Sequence, residues 1–416
     1  MSPYETFTAE WSSSIEEARK TKSTGLMLSG TVDLSALATL KGLKGLSLSN
    51  CVQPLDEVLH VVAGLRLEYL GLRSPKLKKL PEGLRELKTV EQLDLDGAFT
   101  TLSEGEVTLL KAMPALVGLT LKKSLKTVPP ALAQLTRLRA LDLSFNRLSE
   151  LPELSALEHL EQLSLGGNPL LAFPEWVFAL EELRHLSFGA QRKPPAPPPV
   201  PSGLGRLSKL ERAWLDGVAS LPDDVGALAA LKELRLAGVE ALPASIGRLK
   251  NLEVLQIGRL GSKVTLRSLP EELAQLSSLK ELTVWGTFKK FPALAGLSAL
   301  QELRICGALK VLPSFEKLTA LKTLGVIELG VSALPELAGL TSLTALYASG
   351  NALTELPESI GSLTSLETLE AQNRLKALPA SLAACTKLTQ LAVDKPVTLP
   401  PALLKAEKQG RLSVSR

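Results

Sequence analysis

Three histidines and three cysteines are the residues of this 416-residue chain best suited to metal binding or nucleophilic chemistry. His60, His159 and His185 stand far apart, with no second ligand at zinc-site spacing and no triad partners in a recognisable pattern. Cys51, Cys306 and Cys385 are as scattered, and no Cys-x-x-Cys pair occurs. Neither a phosphate-cradling glycine loop nor a Gly-x-Ser-x-Gly elbow is present. The expectation is a protein that is not an enzyme and needs no metal and no cofactor. The side chains left with chemistry to offer are those that make contacts. Tryptophan, tyrosine and arginine carry much of the energy of measured protein interfaces, and here only 4% of residues are aromatic.

What positions those few residues is a frame of leucine, which fills 93 positions, more than a fifth of the chain. The unit Leu-x-x-Leu-x-Leu starts at Leu43, Leu67, Val90, Leu116, Leu138, Leu160, Leu183 and Leu210. It starts again at Leu231, Leu252, Leu279, Leu300, Leu321, Leu343, Leu366 and Leu388. Successive starts lie 21 to 27 residues apart, and a degenerate unit at Leu26-Met27-Leu28 brings the number to seventeen. The last two leucines of a unit are two residues apart, so they share one face of a short strand. A Leu-Pro or Phe-Pro pair follows most units, as at Leu242-Pro243 and Leu356-Pro357. Proline fixes φ and suits a first helical turn, so it begins a return leg whose apolar residues point inward. One such unit cannot bury its leucines alone; stacked units can.

This pattern resembles the leucine-rich-repeat family over about nine tenths of the chain. Its Leu-Pro style is similar to intracellular scaffolds of the Scribble and plant Ras-group type, and to bacterial Leu-Pro repeat effectors. The resemblance implies an α/β solenoid: a curved arc with a parallel β-sheet on the concave face and short helices, 3-10 turns and loops on the convex face. It also implies protein binding. The family's turn asparagine is matched by Asn146, Asn168 and Asn351. Cys51 takes the same slot, Asn373 comes one position early, and most other units lack it. Effectors of this style often append a ubiquitin-ligase domain, and the 17 residues after Leu399 are too few for one.

The domain reading is an N-terminal capping helix within 1–22, repeats over 23–399 and a C-terminal cap over 400–416. Ser14 before Ile15-Glu16-Glu17 reads as an N-cap with acids in the first turn, and Pro400-Pro401 opens a final helix. Two units of 27 residues hold insertions. In the first, Arg192, Pro195 and Pro198 fit a basic-x-x-Pro-x-x-Pro pattern that an SH3 domain could dock, although a stiff surface loop explains it as well. The second, Gly258 to Ser268, reads as a solvated loop with Arg259, Lys263 and Arg267.

The residues between the leucines should point into solvent from the strands. The central row begins Ser47, Gly71, Asp94, Thr120 and Asp142, small and acidic. Further along it gathers Trp214, Arg235, Gln256, Arg304 and Tyr347, flanked by Arg212, Trp285 and Ile327. His185 and Cys306 also fall on this face, while Trp176 falls on a return leg. The expected site is therefore protein-binding, from about His185 to Tyr347.

A formal charge of +4 without a basic cluster argues against nucleic acid, and no apolar run is long enough for a membrane span. The expected molecule is a cytoplasmic monomeric scaffold in signalling. The alternatives are an effector exported without a cleaved signal peptide, an enzyme with a loop-assembled site, and a purely structural part.

Overall fold

The structure is a computed structural model that describes residues 10–74, 77–97, 100–123, 125–189, 198–258 and 265–416. It falls into two compact units, residues 1–197 and 198–416.

The first unit carries nine described strands: β1 (Trp11–Ser12), β2 (Gly25–Ser29), β3 (Gly45–Ser49), β4 (Tyr69–Ser74), β5 (Gln92–Gly97), β6 (Gly118–Lys122), β7 (Ala140–Asp142), β8 (Gln162–Ser164) and β9 (His185–Gly189). Each pairs in parallel with the next, in chain order. The register aligns the middle leucine of every motif, Leu46 with Leu70, Leu93, Leu119, Leu141, Leu163 and Leu186, and all are buried. Burying one such side chain contributes ~1.5–3 kcal/mol. A slip of one residue would turn the whole row to solvent, so the leucines fix the pairing as well as stabilise it.

The return legs follow unit length. Where 24 to 26 residues separate motif starts the return leg holds two turns of α-helix, as in α3 (Leu55–Val62) and α4 (Glu104–Lys111); shorter units hold shorter turns, such as the 3-10 turns Glu82–Glu86 and Pro130–Gln134. Helix α1 (Ile15–Thr21) begins at Ser14, whose hydroxyl accepts from Glu17 N, and α2 (Leu34–Leu37) begins at Asp33. Helix α4 opens with a capping box between Ser103 and Glu106, and Glu106 also accepts from Leu80 N at 2.9 Å in the neighbouring turn.

The second unit carries ten: β10 (Arg212–Asp216), β11 (Glu233–Ala237), β12 (Val254–Ile257), β13 (Glu281–Phe288), β14 (Glu302–Leu309), β15 (Thr323–Ile327), β16 (Ala345–Tyr347), β17 (Thr368–Glu370), β18 (Gln390–Ala392) and β19 (Ser413–Ser415). They too pair in parallel in chain order. Proline stands before the 3-10 turns Asp223–Ala227, Ala244–Arg248, Glu271–Gln275, Glu358–Ser362 and Ala380–Ala384. Neighbouring turns nearly touch: a Cβ on Gly247 would lie 2.6 Å from the carbonyl oxygen of Glu272, and one on Gly226 2.5 Å from that of Ser245. Helix α5 (Pro401–Lys408) precedes β19.

Several sequence expectations change. Strands β1 and β19 lie outside the seventeen motifs, because two or three residues suffice to extend a parallel ladder without any leucine signature. The stretch read as a solvated loop holds Leu266, which is buried and bridges Gly286. Its Arg267 is exposed, and Arg259 and Lys263 lie outside the described residues.

Candidate functional site

On a parallel sheet in this register, alternate residues of each strand face away from the leucine core. In the second unit the outward central row runs Trp214, Arg235, Gln256, Thr283, Arg304, Gly325 and Tyr347, each aligned with the next. Two residues further along the strands, Trp285 aligns with Cys306 and Ile327. Six of the eight expected contact residues lie on these two rows, and Arg212 opens β10 beside them.

Their environments differ. Glu233 is a hub: it accepts from the Trp214 indole Nε1 at 2.9 Å and pairs with Arg235 Nε at 2.6 Å and Arg212 Nε at 3.7 Å. The Arg235 guanidinium carbon stands 5.1 Å from the centre of the Trp214 ring, a cation–π contact. Trp214 is therefore half-buried and held in place, while Arg235 remains exposed. Arg304 is exposed and pairs through Nε with Glu302 at 2.6 Å. Gln256 bonds the carbonyl of Gly258 at 3.3 Å. Trp285 and Tyr347 are half-exposed. Sequence reasoning missed the two glutamates. The signal was present, since Glu233-Leu-Arg235 and Glu302-Leu-Arg304 repeat an i, i+2 spacing that puts acid and base on one strand face.

Cys306 was expected on the open face and is instead buried, at 4% exposure. Burial raises its thiol pKa to about 11, and Arg304 and Glu328 both act on it electrostatically.

In the first unit the outward row is not the solvent-facing acidic strip expected from the sequence. Ser47, Asp94, Thr120 and Asp142 are buried. Asp94 accepts from Tyr69 Oη at 3.2 Å and pairs with Arg73 at 2.9 Å. Asp142 pairs with Lys122 at 2.7 Å and accepts from Ser144 N at 2.9 Å. Long neighbouring side chains fold over these short ones, which a reading of row positions alone cannot detect. Desolvation, reinforced by the Asp94 charge, raises the Tyr69 pKa to about 12. The Tyr69 ring also meets Trp11 edge-on, centroids 5.7 Å apart. The register explains how that pair forms across the intervening strands, because Gly25 and Gly45 lie between them and carry no side chains. His185 opens β9 in this unit and is half-buried.

The turn asparagines act as the repeat pattern implies. Asn146 Oδ1 accepts from Leu125 N at 3.0 Å, and its Nδ2 donates to Leu121 O at 2.6 Å and Leu143 O at 2.9 Å. Asn168 makes the same set one unit on, and Asn351 bonds Val326 O, Ala348 O and Leu329 N. Asn373, one position early in sequence, still donates to Ala348 O at 2.9 Å and accepts from Asn351 N at 2.7 Å.

Of the proline-rich residues, Arg192 and Pro195 lie outside the described residues. Pro198 is buried, and its carbonyl accepts from Ala219 N at 2.9 Å. Trp176 is half-buried on the turn Glu175–Ala179, with its indole N–H unpaired among the described residues. Among the described residues no group of three or more His, Cys, Asp or Glu is placed to hold a metal ion. No described helix is long and apolar enough to cross a membrane.

A family model for leucine-rich repeats in two copies matches residues 136–177. The stacked parallel strands, the buried leucine row and the asparagine-bonded turns extend that pattern through both units. The chain is built of leucine-rich repeats. Among solved structures, a leucine-rich-repeat protein of Leptospira interrogans superposes with a TM-score of 0.71 at 23% identity, covering 98% of this chain and 100% of that one. The Toll–Spatzle complex of Drosophila gives 0.62 at 19% identity, covering 94% and 49%. The TLR13–ssRNA13 complex gives 0.62 at 22%, covering 91% and 64%. At such identities the likeness establishes the leucine-rich-repeat fold. No curated protein matches the sequence.

Proposed function

We propose that this leucine-rich-repeat protein is a non-catalytic scaffold whose partner, another protein, docks on the outward sheet face of the second unit. The observation that carries the reading is the alignment of Trp214, Arg235, Arg304 and Tyr347 in one row, with Trp285 beside them, in a chain so poor in aromatic residues. A leucine core needs no tryptophan on its outer face, and Trp and Arg are the residues most often decisive at interfaces. Glu233 presets Trp214 and Arg235 in one arrangement, which lowers the ordering cost of binding. That two of the similar structures were solved with Spatzle and with ssRNA13 fits a recognition role. The carboxylates on this face favour a protein partner over a nucleic acid. On this reading residues 1–22 and 400–416 cap the core, the protein works as a monomer, and its free cysteines suit the reducing cytoplasm.

The test is affinity capture from the source organism with the wild-type chain and with a Trp214→Ala/Trp285→Ala/Arg304→Ala variant. The variant should lose the captured partner while its thermal midpoint stays within a few degrees, since no core leucine is touched. Retention of the same partner at undiminished yield would remove the site from this face.

A further inference from the structure

Charge on the outward face of the second unit is compensated in one direction only. Every described arginine on these strands has a carboxylate: Glu233 serves Arg212 and Arg235, and Glu302 serves Arg304. The converse fails. The carboxylates of Glu281 on β13, Glu328 just after β15 and Glu370 on β17 have no ion pair or hydrogen bond among the described residues, and Glu281 and Glu328 are exposed. The lysines nearby do not answer them. Lys280 is held by Glu253 at 2.8 Å, and no ion pair joins Lys322 to any of the three among the described residues.

Glu370 aligns with Tyr347 on the adjoining strand, Glu281 opens the strand that carries Trp285, and Glu328 follows Ile327, which lies on the Trp285 row. Between Arg304 and Tyr347 stands Gly325, which carries no side chain and is buried, with Arg304 Cγ 3.3 Å from where its Cβ would lie. The sign of this patch opposes the chain as a whole, whose formal charge is +4. A carboxylate beside an indole or phenol face is an environment for a cation, which gains from the ring quadrupole and the ion pair together.

We propose that the face from β13 to β17 receives a lysine- or arginine-bearing segment of the partner protein, its cations lodged against Trp285 and Tyr347 within reach of Glu281, Glu328 and Glu370. The inference rests on the reading of this face as the binding surface and adds the sign of the charge it selects. Four strand spacings separate Glu281 from Glu370, ~19 Å, which an extended segment of about six residues spans.

The experiment uses the full chain and two fluorescein-labelled peptides on one Gly/Ser frame, roughly a dozen residues long. One carries lysines and the other glutamates, and anisotropy is read at low ionic strength. The lysine peptide should bind, the glutamate peptide should not, and added salt should weaken binding steadily. A Glu281→Gln/Glu328→Gln/Glu370→Gln variant should bind roughly five- to ten-fold more weakly or worse. A Glu272→Gln/Glu358→Gln control on the 3-10 turns should bind as the wild type does. Failure of the lysine peptide to bind, equal binding of both peptides, or undiminished binding by the triple glutamine variant would overturn the inference. If the Trp214/Trp285/Arg304 variant loses the natural partner but the glutamine variant keeps it, the face stands and only the charge assignment falls.

Discussion

Replacing Asn351 by alanine tests how the turns of the second unit are held together. Its Oδ1 accepts from Leu329 N at 3.0 Å and Gly330 N at 3.1 Å, and its Nδ2 donates to Val326 O at 2.6 Å and Ala348 O at 2.9 Å. A fifth partner, Ser349 O at 3.3 Å, keeps the bond from Glu328 N, and the substitution does not orphan the other four equally. Gly330 is exposed and can turn to water, and Ala348 O keeps the bond from Asn373. Leu329 is 3% exposed and Val326 is fully buried, so one N–H and one C=O are left without a partner. At ~1–3 kcal/mol for each stranded group, partly relieved by relaxation, the local cost is about 2–4 kcal/mol, or roughly 30- to 700-fold in amide-exchange protection. The assay is native-state hydrogen exchange resolved to single amides, because a long repeat array need not unfold as one cooperative step. The Leu329 amide should lose protection by that factor. The Leu125 amide, held by Asn146 in the first unit at the same 3.0 Å, is the internal control and should not change. Less than about three-fold loss at Leu329 would show that the asparagine bonds are replaceable and refute the reasoning. An equal loss at Leu125 would show that the effect is global.

Two further predictions concern burial. Cys306 and Cys385 are 4% and 2% exposed, and desolvation places both thiol pKa values at about 11, so the neutral thiol is favoured through neutral pH. With a raised pKa the folded state holds its proton more tightly, so these groups favour folding below pH 9 and lose that contribution as pH rises towards 11. At pH 8 a thiol reagent should therefore label the half-exposed Cys51 first and the other two only on unfolding, which mass spectrometry of the labelled peptides would check. Gly247→Ala should destabilise the second unit by more than about 1 kcal/mol in urea melts, because its Cβ would meet the Glu272 carbonyl at 2.6 Å and two adjacent turns would have to separate.

Much of the fold was legible because its signal is redundant: each leucine motif repeats a statement that its neighbours also make. The strand positions, the parallel order and the inward row follow from spacing alone. The ladder ends at Trp11–Ser12 and Ser413–Ser415 carry no motif, so only the structure shows them. The candidate face was legible in part. Row positions gave Trp214, Arg235, Arg304 and Tyr347 their alignment, but position on a row does not fix exposure. Asp94 and Asp142 sit on outward positions and are buried because Arg73, Tyr69 and Lys122 reach over them from adjacent strands. Such coverage depends on side-chain direction across strands 20 or more residues apart in sequence. Cys306 is hidden at an outward position as well.

The even register has a consequence for how such a protein can change. Trp214, Arg235 and Gln256 are aligned and stand 21 residues apart in each step. Excising one whole 21-residue unit between β10 and β12 would set Trp214 beside Gln256 and Ala213 beside Leu255, so the buried column would close up unbroken. The outward face would be rewritten in the same event, losing Glu233 and Arg235 and releasing the indole they hold. Gain, loss or shuffling of whole units can therefore recompose the recognition surface column by column while the interior stays the same, which makes the repeat boundary the natural point of recombination for an ancestor or a designer.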